Sequence, residues 1–235
     1  MENKKESSET ESKKTKSLAS IIKRENKEAV SDYRNLNWTG TFWEYLELVE
    51  LNPKVVRNAY QRLFDMIASH GTEEVEYCKR KHIKYNFFKD KGDISIYGLE
   101  ENLMELMDTL KSASRHYGPE RRVLLLHGPV GSSKSTIVTA IKKGLEEYSR
   151  TDDGALYSFS WKTTDDEGKE EIVPCPMNEE PLKLLPDNVR EQIVDKLNQL
   201  IGEGEYQIKL DGALNPVNEF YYGNLMEKYK GDYRK

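Results

Sequence analysis

Apolar positions along the chain are spaced in several distinct ways, and the spacing changes at Asn37. Ahead of that point, residues 1–36 are rich in Lys, Glu, Ser and Thr, and Leu18, Ile21, Ile22 and Val30 give only a thin stripe around 18–30. So little apolar surface cannot offset ordering entropy, which predicts a disordered polar tail. From 37 to 90 the pattern becomes helical. Phe42, Tyr45, Leu46 and Val49 fall on one face behind a Thr41/Glu44 capping box, and Asn52–Pro53 restarts a helix. Its buried side is predicted at Val56, Tyr60, Leu63, Phe64 and Ile67, with Gly71 ending it, and the aromatic stripe reads as packing between two helices. Between 72 and 93 the polar stretch EEVEYCKRKHIKYNFFKDKGD predicts a half-exposed strand or loop with a solvated cationic rim.

The remainder, 91–235, alternates helical and strand-like patterns. Leu99, Leu103, Leu106, Met107 and Leu110 predict a helix over about 99–114. The run Val123, Leu124, Leu125, Leu126 predicts a strand buried on both faces, and Ile137, Ala140, Ile141, Leu145 and Tyr148 mark the inner side of a following helix. GALYSFSW reads as another strand, PCPMNEEPLKLLP as a proline-punctuated irregular segment, and helices are expected over about 187–201 and 218–229. The fold class that results is α/β: a parallel sheet with flanking helices, preceded by a small helical region.

Composition narrows the function. The chain has 235 residues, 37% hydrophobic and 33% charged, with a formal net charge of −5. Acids and bases are mixed along the length, so no concentrated cationic face exists for nucleic acid. The absence of an apolar run near 20 residues argues against a membrane span, and the N-terminus lacks the apolar centre of a secretory signal. A cytoplasmic location is expected. Cys78 and Cys175 lie far apart, which fits a reducing compartment, and His70, His82, His116 and His127 show no metal-ligand spacing.

Between the VLLL run and the next helix lies HGPVGSSKST. A phosphate loop requires Gly, four free positions, Gly, Lys, and Ser or Thr. Gly128 is present, Pro129, Val130, Gly131 and Ser132 fill the gap, Ser133 replaces the second glycine, and Lys134 and Ser135 complete the pattern ahead of Thr136. Strand, loop and helix in that order are the context such a loop needs. Gly128 permits the turn off the strand, and the amides from Val130 to Ser135 converge on phosphate at a helix N-terminus. Lys134 is the candidate catalytic residue, reaching the β and γ oxygens, and Ser135 is the candidate ligand for Mg²⁺. A left-handed serine at 133 costs about 1 to 2 kcal/mol, which a folded domain tolerates. ATP and Mg²⁺ are therefore the expected cofactors. After Arg150 no apolar run of four ends in paired acids, and Asp152, Asp153, Asp165 and Asp166 follow polar residues in the manner of turns. The catalytic half of the site is expected to lie outside these residues.

The segments NWTGTFWEYLELVELNP, IYGLEENLMEL, RRVLLLHGPVGSSKSTIV, GALYSFSW and CPMNEEPLKLLP resemble the N-terminal part of the PrkA family, bacterial proteins described as serine protein kinases with an AAA-type ATPase domain. Members usually carry glycine where Ser133 stands. The resemblance implies a P-loop NTPase fold of AAA type over 91–235, a longer parent protein of which this chain is a fragment, and phosphorylation of protein serines, with an ATP-dependent proteolytic role proposed for some members. It also admits a homo-oligomer and an unspecified protein substrate. By similarity to AAA-type domains it directs attention to Ile96, Tyr97 and Gly98 as adenine contacts, although a plain strand-to-helix turn explains them equally. Glu179 and Glu180 suggest paired carboxylates, but a proline-fixed loop in which one glutamate caps a helix accounts for them, so they stay outside the catalytic set. Two rival readings remain: a complete small-molecule or nucleotide kinase, disfavoured because only Arg190 and Arg234 follow Arg150, and a non-catalytic interaction module whose loop has lost its nucleotide.

Overall fold

The structure is a computed structural model and describes residues 36–77, 80–89, 96, 98–164, 168–202 and 206–233. The tail over 1–35, with its thin stripe at 18–30, falls outside them, as do Cys78, Asp165 and Asp166. The described residues from Phe42 onward form one compact unit.

Helix α1 spans Phe42–Leu51 and buries Tyr45 and Val49, two positions of the predicted face. The single helix expected after Asn52 is two pieces. Asn52 caps a 3₁₀ turn at Pro53–Val56, and the α-conformation resumes only at α2, Ala59–Ala68. The break has a local cause: Asn58 and Gln61 form a reciprocal capping box, each side chain bonding the other's backbone N–H, so a second helix start lies six residues after the first. Gly71, at φ +83, turns the chain out of α2, as only a residue without Cβ does comfortably. The polar stretch beyond it is an antiparallel hairpin of β1, Thr72–Tyr77, and β2, Arg80–Tyr85, with Val75 opposite His82.

Helix α3 covers Glu100–Ser114, and α4 covers Lys134–Tyr148, immediately after the glycine-rich loop. A second hairpin pairs β3, Ser160–Thr164, with β4, Glu170–Pro174. The strand expected over GALYSFSW joins this ladder only from Ser160, with one further bond from Cys175 N–H to the Phe159 carbonyl at 3.0 Å. Helix α5, Asp187–Ile201, and helix α6, Pro216–Lys228, complete the described elements close to the predicted bounds. Asn215 starts α6 by accepting from the Val217 and Asn218 amides. No helix among the described residues is long and apolar enough to cross a membrane.

Two apolar clusters hold α1 to α5. Tyr45 and Val49 of α1 pack with Val55, Val56, Leu182, Leu185, Leu197 of α5 and Ile208. Met66 and Ile67 of α2 pack with Phe87, Phe88, Met107 and Leu110 of α3, and Ile137 and Ala140 of α4. The helical region and the segment carrying the glycine-rich loop thus share both cores.

One expectation differs sharply. The run 123–126, read as a strand buried on both faces, belongs to no ladder, and Val123 and Leu125 are 93% and 83% exposed. A doubly buried strand needs neighbours at both edges and helices over both faces. Among the described residues the sheets are the two antiparallel hairpins, neither of which includes this run. The parallel sheet is therefore not formed within these residues, although the strand's helical neighbours are in place.

Gly144 lies where α4 crosses the second cluster. A Cβ there would sit 2.6 and 2.8 Å from Phe87 ring atoms and 2.9 Å from the Met66 sulfur. Gly144→Ala should therefore destabilise the protein by about 1 to 2 kcal/mol in urea denaturation, because overpacking against a buried ring exceeds the up to ~1 kcal/mol that alanine adds in helix propensity.

Candidate functional site

Between Gly128 and Lys134 the main chain reverses tightly. Gly131 has φ +84 and Ser133 φ +55 with ψ +13, so two left-handed residues lie within three positions. That alternation is the backbone form that produces anion-binding concavities. A Cβ on Gly128 would lie 2.9 Å from the Ser132 hydroxyl oxygen, so a larger residue there would displace that hydroxyl. Ser133 occupies the N-cap position of α4, and its carbonyl accepts the first helical bond from Ile137 N–H at 2.9 Å. The serine found where the motif prefers glycine thus adopts the left-handed conformation that explains the preference.

Lys134 opens α4 and folds back over the loop. Its Nζ donates to the Gly128 carbonyl at 2.9 Å, the Pro129 carbonyl at 2.5 Å and Ser132 Oγ at 2.8 Å. Ser132 Oγ in turn donates to the Pro129 carbonyl at 2.9 Å. Ser135 is exposed on the first turn of α4, Thr136 is half-buried beside it, and Val130 projects fully into solvent at the loop tip. The structure therefore gathers Gly128, Pro129, Val130, Gly131, Ser132, Ser133, Lys134, Ser135 and Thr136 into one loop and helix start. Ile96 packs on the cluster that also holds Ile137 and Ala140, so it shares a core with the helix bearing Lys134. Gly98 is exposed at φ +69, and Tyr97 lies outside the described residues.

The far end of α4 is fixed by buried charge. The Arg57 guanidinium pairs with Asp65, donates to the Asp153 carbonyl and reaches Tyr148 Oη at 3.2 Å. Arg62 donates to the Gly154 and Ala155 carbonyls at 2.7 and 3.0 Å and to the Val55 carbonyl at 3.2 Å. Burial, then the neighbouring Arg57 charge, draws the Arg62 guanidinium below its ordinary value, whereas in Arg57 the bonds to Asp65 and Tyr148 outweigh burial and raise it.

A second polar constellation, not anticipated as a unit, surrounds PCPMNEEPL. Asn218 of α6 accepts from Trp161 Nε1 at 2.9 Å, and its amide nitrogen donates to Cys175 Sγ at 2.9 Å and to Glu179 Oε2 at 2.8 Å. Asn215 N–H also reaches Glu179, and Lys183 lies 3.5 Å from it. Burial alone would raise the Cys175 thiol, but donors from Glu179 N–H, Asn218, Met177 N–H and Ser158 hold it below its usual value. Burial likewise opposes ionisation of Glu179, and the Asn218 and Asn215 donors overcome it. The repeated Asn at 215 and 218 was the available signal; its partners 36 or more residues away were not. Glu180 behaves oppositely. It caps the 3₁₀ turn Pro181–Leu184 by accepting from Leu182 N–H, accepts the Tyr45 hydroxyl of α1, and is pushed up to about 7 chiefly by burial. The two adjacent glutamates serve separate structural ties and do not converge on one reacting atom.

A family model described as the PrkA AAA domain matches residues 40–235. A Bacillus subtilis protein named ATP-dependent protease PrkA is 38% identical over 215 residues, which cover 89% of this chain and 29% of that protein. A Geobacillus stearothermophilus protein, described as an uncharacterized protein in the gldA 5′ region, is 36% identical over 88 residues, 37% of this chain and 81% of that one. The chain spans less than a third of the Bacillus subtilis relative's length. No solved structure matches.

Glu180 gives the described site a pH signature. Its folded value of about 7 lies above the ordinary 4.5, so the folded state holds the proton more tightly and stability is lost as pH rises from about 4.5 to about 7. Glu180→Gln should flatten that decline and leave the protein about 1 to 2 kcal/mol more stable than wild type at pH 8, with little difference at pH 4.5, measured by urea denaturation at each pH.

Proposed function

The chain belongs to the PrkA AAA domain family, and from that membership we propose that it binds MgATP through the loop from Gly128 to Thr136 as the nucleotide-binding part of a PrkA-type ATP-dependent protein. The single observation that carries this reading is the loop itself. Gly131 and Ser133 are left-handed, Gly128 lies against the Ser132 hydroxyl, and a lysine ammonium stands over the bend at a helix N-terminus. The residues present fit a polyphosphate. Lys134 Nζ already collects three oxygen acceptors, and phosphate oxygens are stronger acceptors than any of them.

In this proposal the amides from Val130 to Ser135 and the α4 dipole would hold the phosphates, and Lys134, the candidate catalytic residue, would supply the cation that meets the β and γ oxygens. The Ser135 hydroxyl would supply one ligand to Mg²⁺. Bound MgATP supplies a γ-phosphoryl group and the free energy of its transfer. Ile96, Tyr97 and Gly98 are proposed to border the base, supported by the core that Ile96 shares with α4. Residues 91–235 are proposed as the AAA-type P-loop domain and 37–90 as its small helical adjunct, in the cytoplasm, with a protein substrate and assembly into a homo-oligomer.

Two uses of the bound nucleotide are compatible with this site. Phosphorylation of protein serines follows from the resemblance stated above, and ATP-dependent proteolysis follows from the name of the Bacillus subtilis relative. Both draw on the same loop. A thermal-shift titration tests the shared premise: wild type should gain about 2 to 3 kcal/mol of stability at MgATP near a hundred times Kd, and Lys134→Ala should lose most of that gain while keeping its unliganded melting temperature within a few degrees. A wild type that is indifferent to MgATP would sink the reading.

A further inference from the structure

Ser132 occupies one of the motif's free positions, where the phosphate-loop pattern prescribes no residue. Its hydroxyl nevertheless has two partners. Oγ donates to the Pro129 carbonyl at 2.9 Å and presents a lone pair to Lys134 Nζ at 2.8 Å. Lys134 Nζ also donates directly to the Pro129 carbonyl, so ammonium, hydroxyl and carbonyl close a triangle, with the Gly128 carbonyl as the ammonium's third acceptor. Gly128 leaves the hydroxyl in this position, since a Cβ there would meet Ser132 Oγ at 2.9 Å and displace it. Linked bonds of this kind polarise one another, and bonds to an ionised donor are stronger than neutral ones.

From this arrangement we propose that Ser132 is a positioning residue: it latches the Lys134 ammonium onto the loop's own oxygens, and entering phosphate groups must release it. The inference rests on the nucleotide reading above for its second half only. In the latched loop the ammonium that would meet β and γ oxygens is fully engaged. A state in which it is free is a minor population, and apparent affinity for polyphosphate is reduced by that fraction. Ser132→Ala removes both hydroxyl bonds without adding bulk beside Gly128, and leaves Lys134 two carbonyl acceptors. Ser132→Thr keeps a hydroxyl and serves as the conservative control.

The latch can be read without nucleotide. Limiting acetic anhydride acetylates amines according to how freely they meet the reagent, and mass spectrometry can follow Lys134 against the exposed Lys142 and Lys143 of the same helix. In Ser132→Ala, Lys134 labelling relative to these two should rise about threefold or more, and MgATP or tripolyphosphate should bind about three- to tenfold tighter in calorimetry. Ser132→Thr should resemble wild type in both assays. Unchanged Lys134 labelling in Ser132→Ala overturns the latch. Increased labelling with unchanged or weaker binding overturns the release step and shows instead that the hydroxyl serves the ligand. If labelling rises but neither wild type nor variants bind either ligand, the latch stands, and both the release step and the nucleotide reading fail.

Discussion

Two guanidinium groups taken out of water, one just before α2 and one within it, set the position of the C-terminal end of the helix that carries Lys134. Arg57 and Arg62 gather the carbonyls of Val55, Asp153, Gly154 and Ala155, and Arg57 adds Asp65 and Tyr148. A buried cation without such partners would be strongly unfavourable, so the turn that follows α4 has little freedom to leave them. The Tyr206 hydroxyl completes the arrangement at Asp65. Helix α4 is thereby tied at its C-terminal end, and its middle is seated by the absence of a side chain at Gly144. Its N-terminal end, which carries Lys134, projects from that anchorage. The loop is held by its own bonds rather than by a surrounding sheet.

How much of this could be read in advance depends on the kind of interaction. Helices α3, α4 and α5 are legible because Leu, Ile and Met recur at helical spacing, whereas α6 has no apolar stripe and starts at Asn215–Pro216, ahead of the expected 218. The phosphate-loop pattern was legible because its backbone demands are local, and Ser133 adopts the left-handed angle that the missing glycine implies. The second start at Asn58 was visible in principle as a capping box with Gln61, but the earlier Asn–Pro signal overshadowed it. Gln61, Arg57 and Arg62 could not be placed by periodicity, because a polar residue enters a core only when distant acceptors are waiting: Ser114 and Gln207 carbonyls for Gln61, and the 153–155 turn for the arginines. Asn218 belongs to the same class. The VLLL run shows the reverse failure, since composition states what a segment would prefer to bury and is silent on whether strands pair with it; among the described residues none does.

Family membership and geometry bear on different parts of the molecule. The family match extends from residue 40 through α6, so it includes the Cys175, Glu179 and Asn218 network as well as the loop. That network joins β3, the PCPMNEEPL segment and α6 through one amide side chain, and Glu180 joins the same segment to α1. The proline-rich stretch is therefore a junction between otherwise separate elements, which accounts physically for a rigid, polar sequence at a place where a flexible connection would suffice.

The bare hydrocarbon of Val123 and Leu125 has a practical consequence for handling the isolated polypeptide. Lyotropic anions such as sulfate raise the cost of wetting aliphatic surface, and a segment whose amides are also unladdered offers a template for edge-on pairing. Self-association on salting-out should begin at this segment, and dilute, low-salt buffers are where single molecules persist.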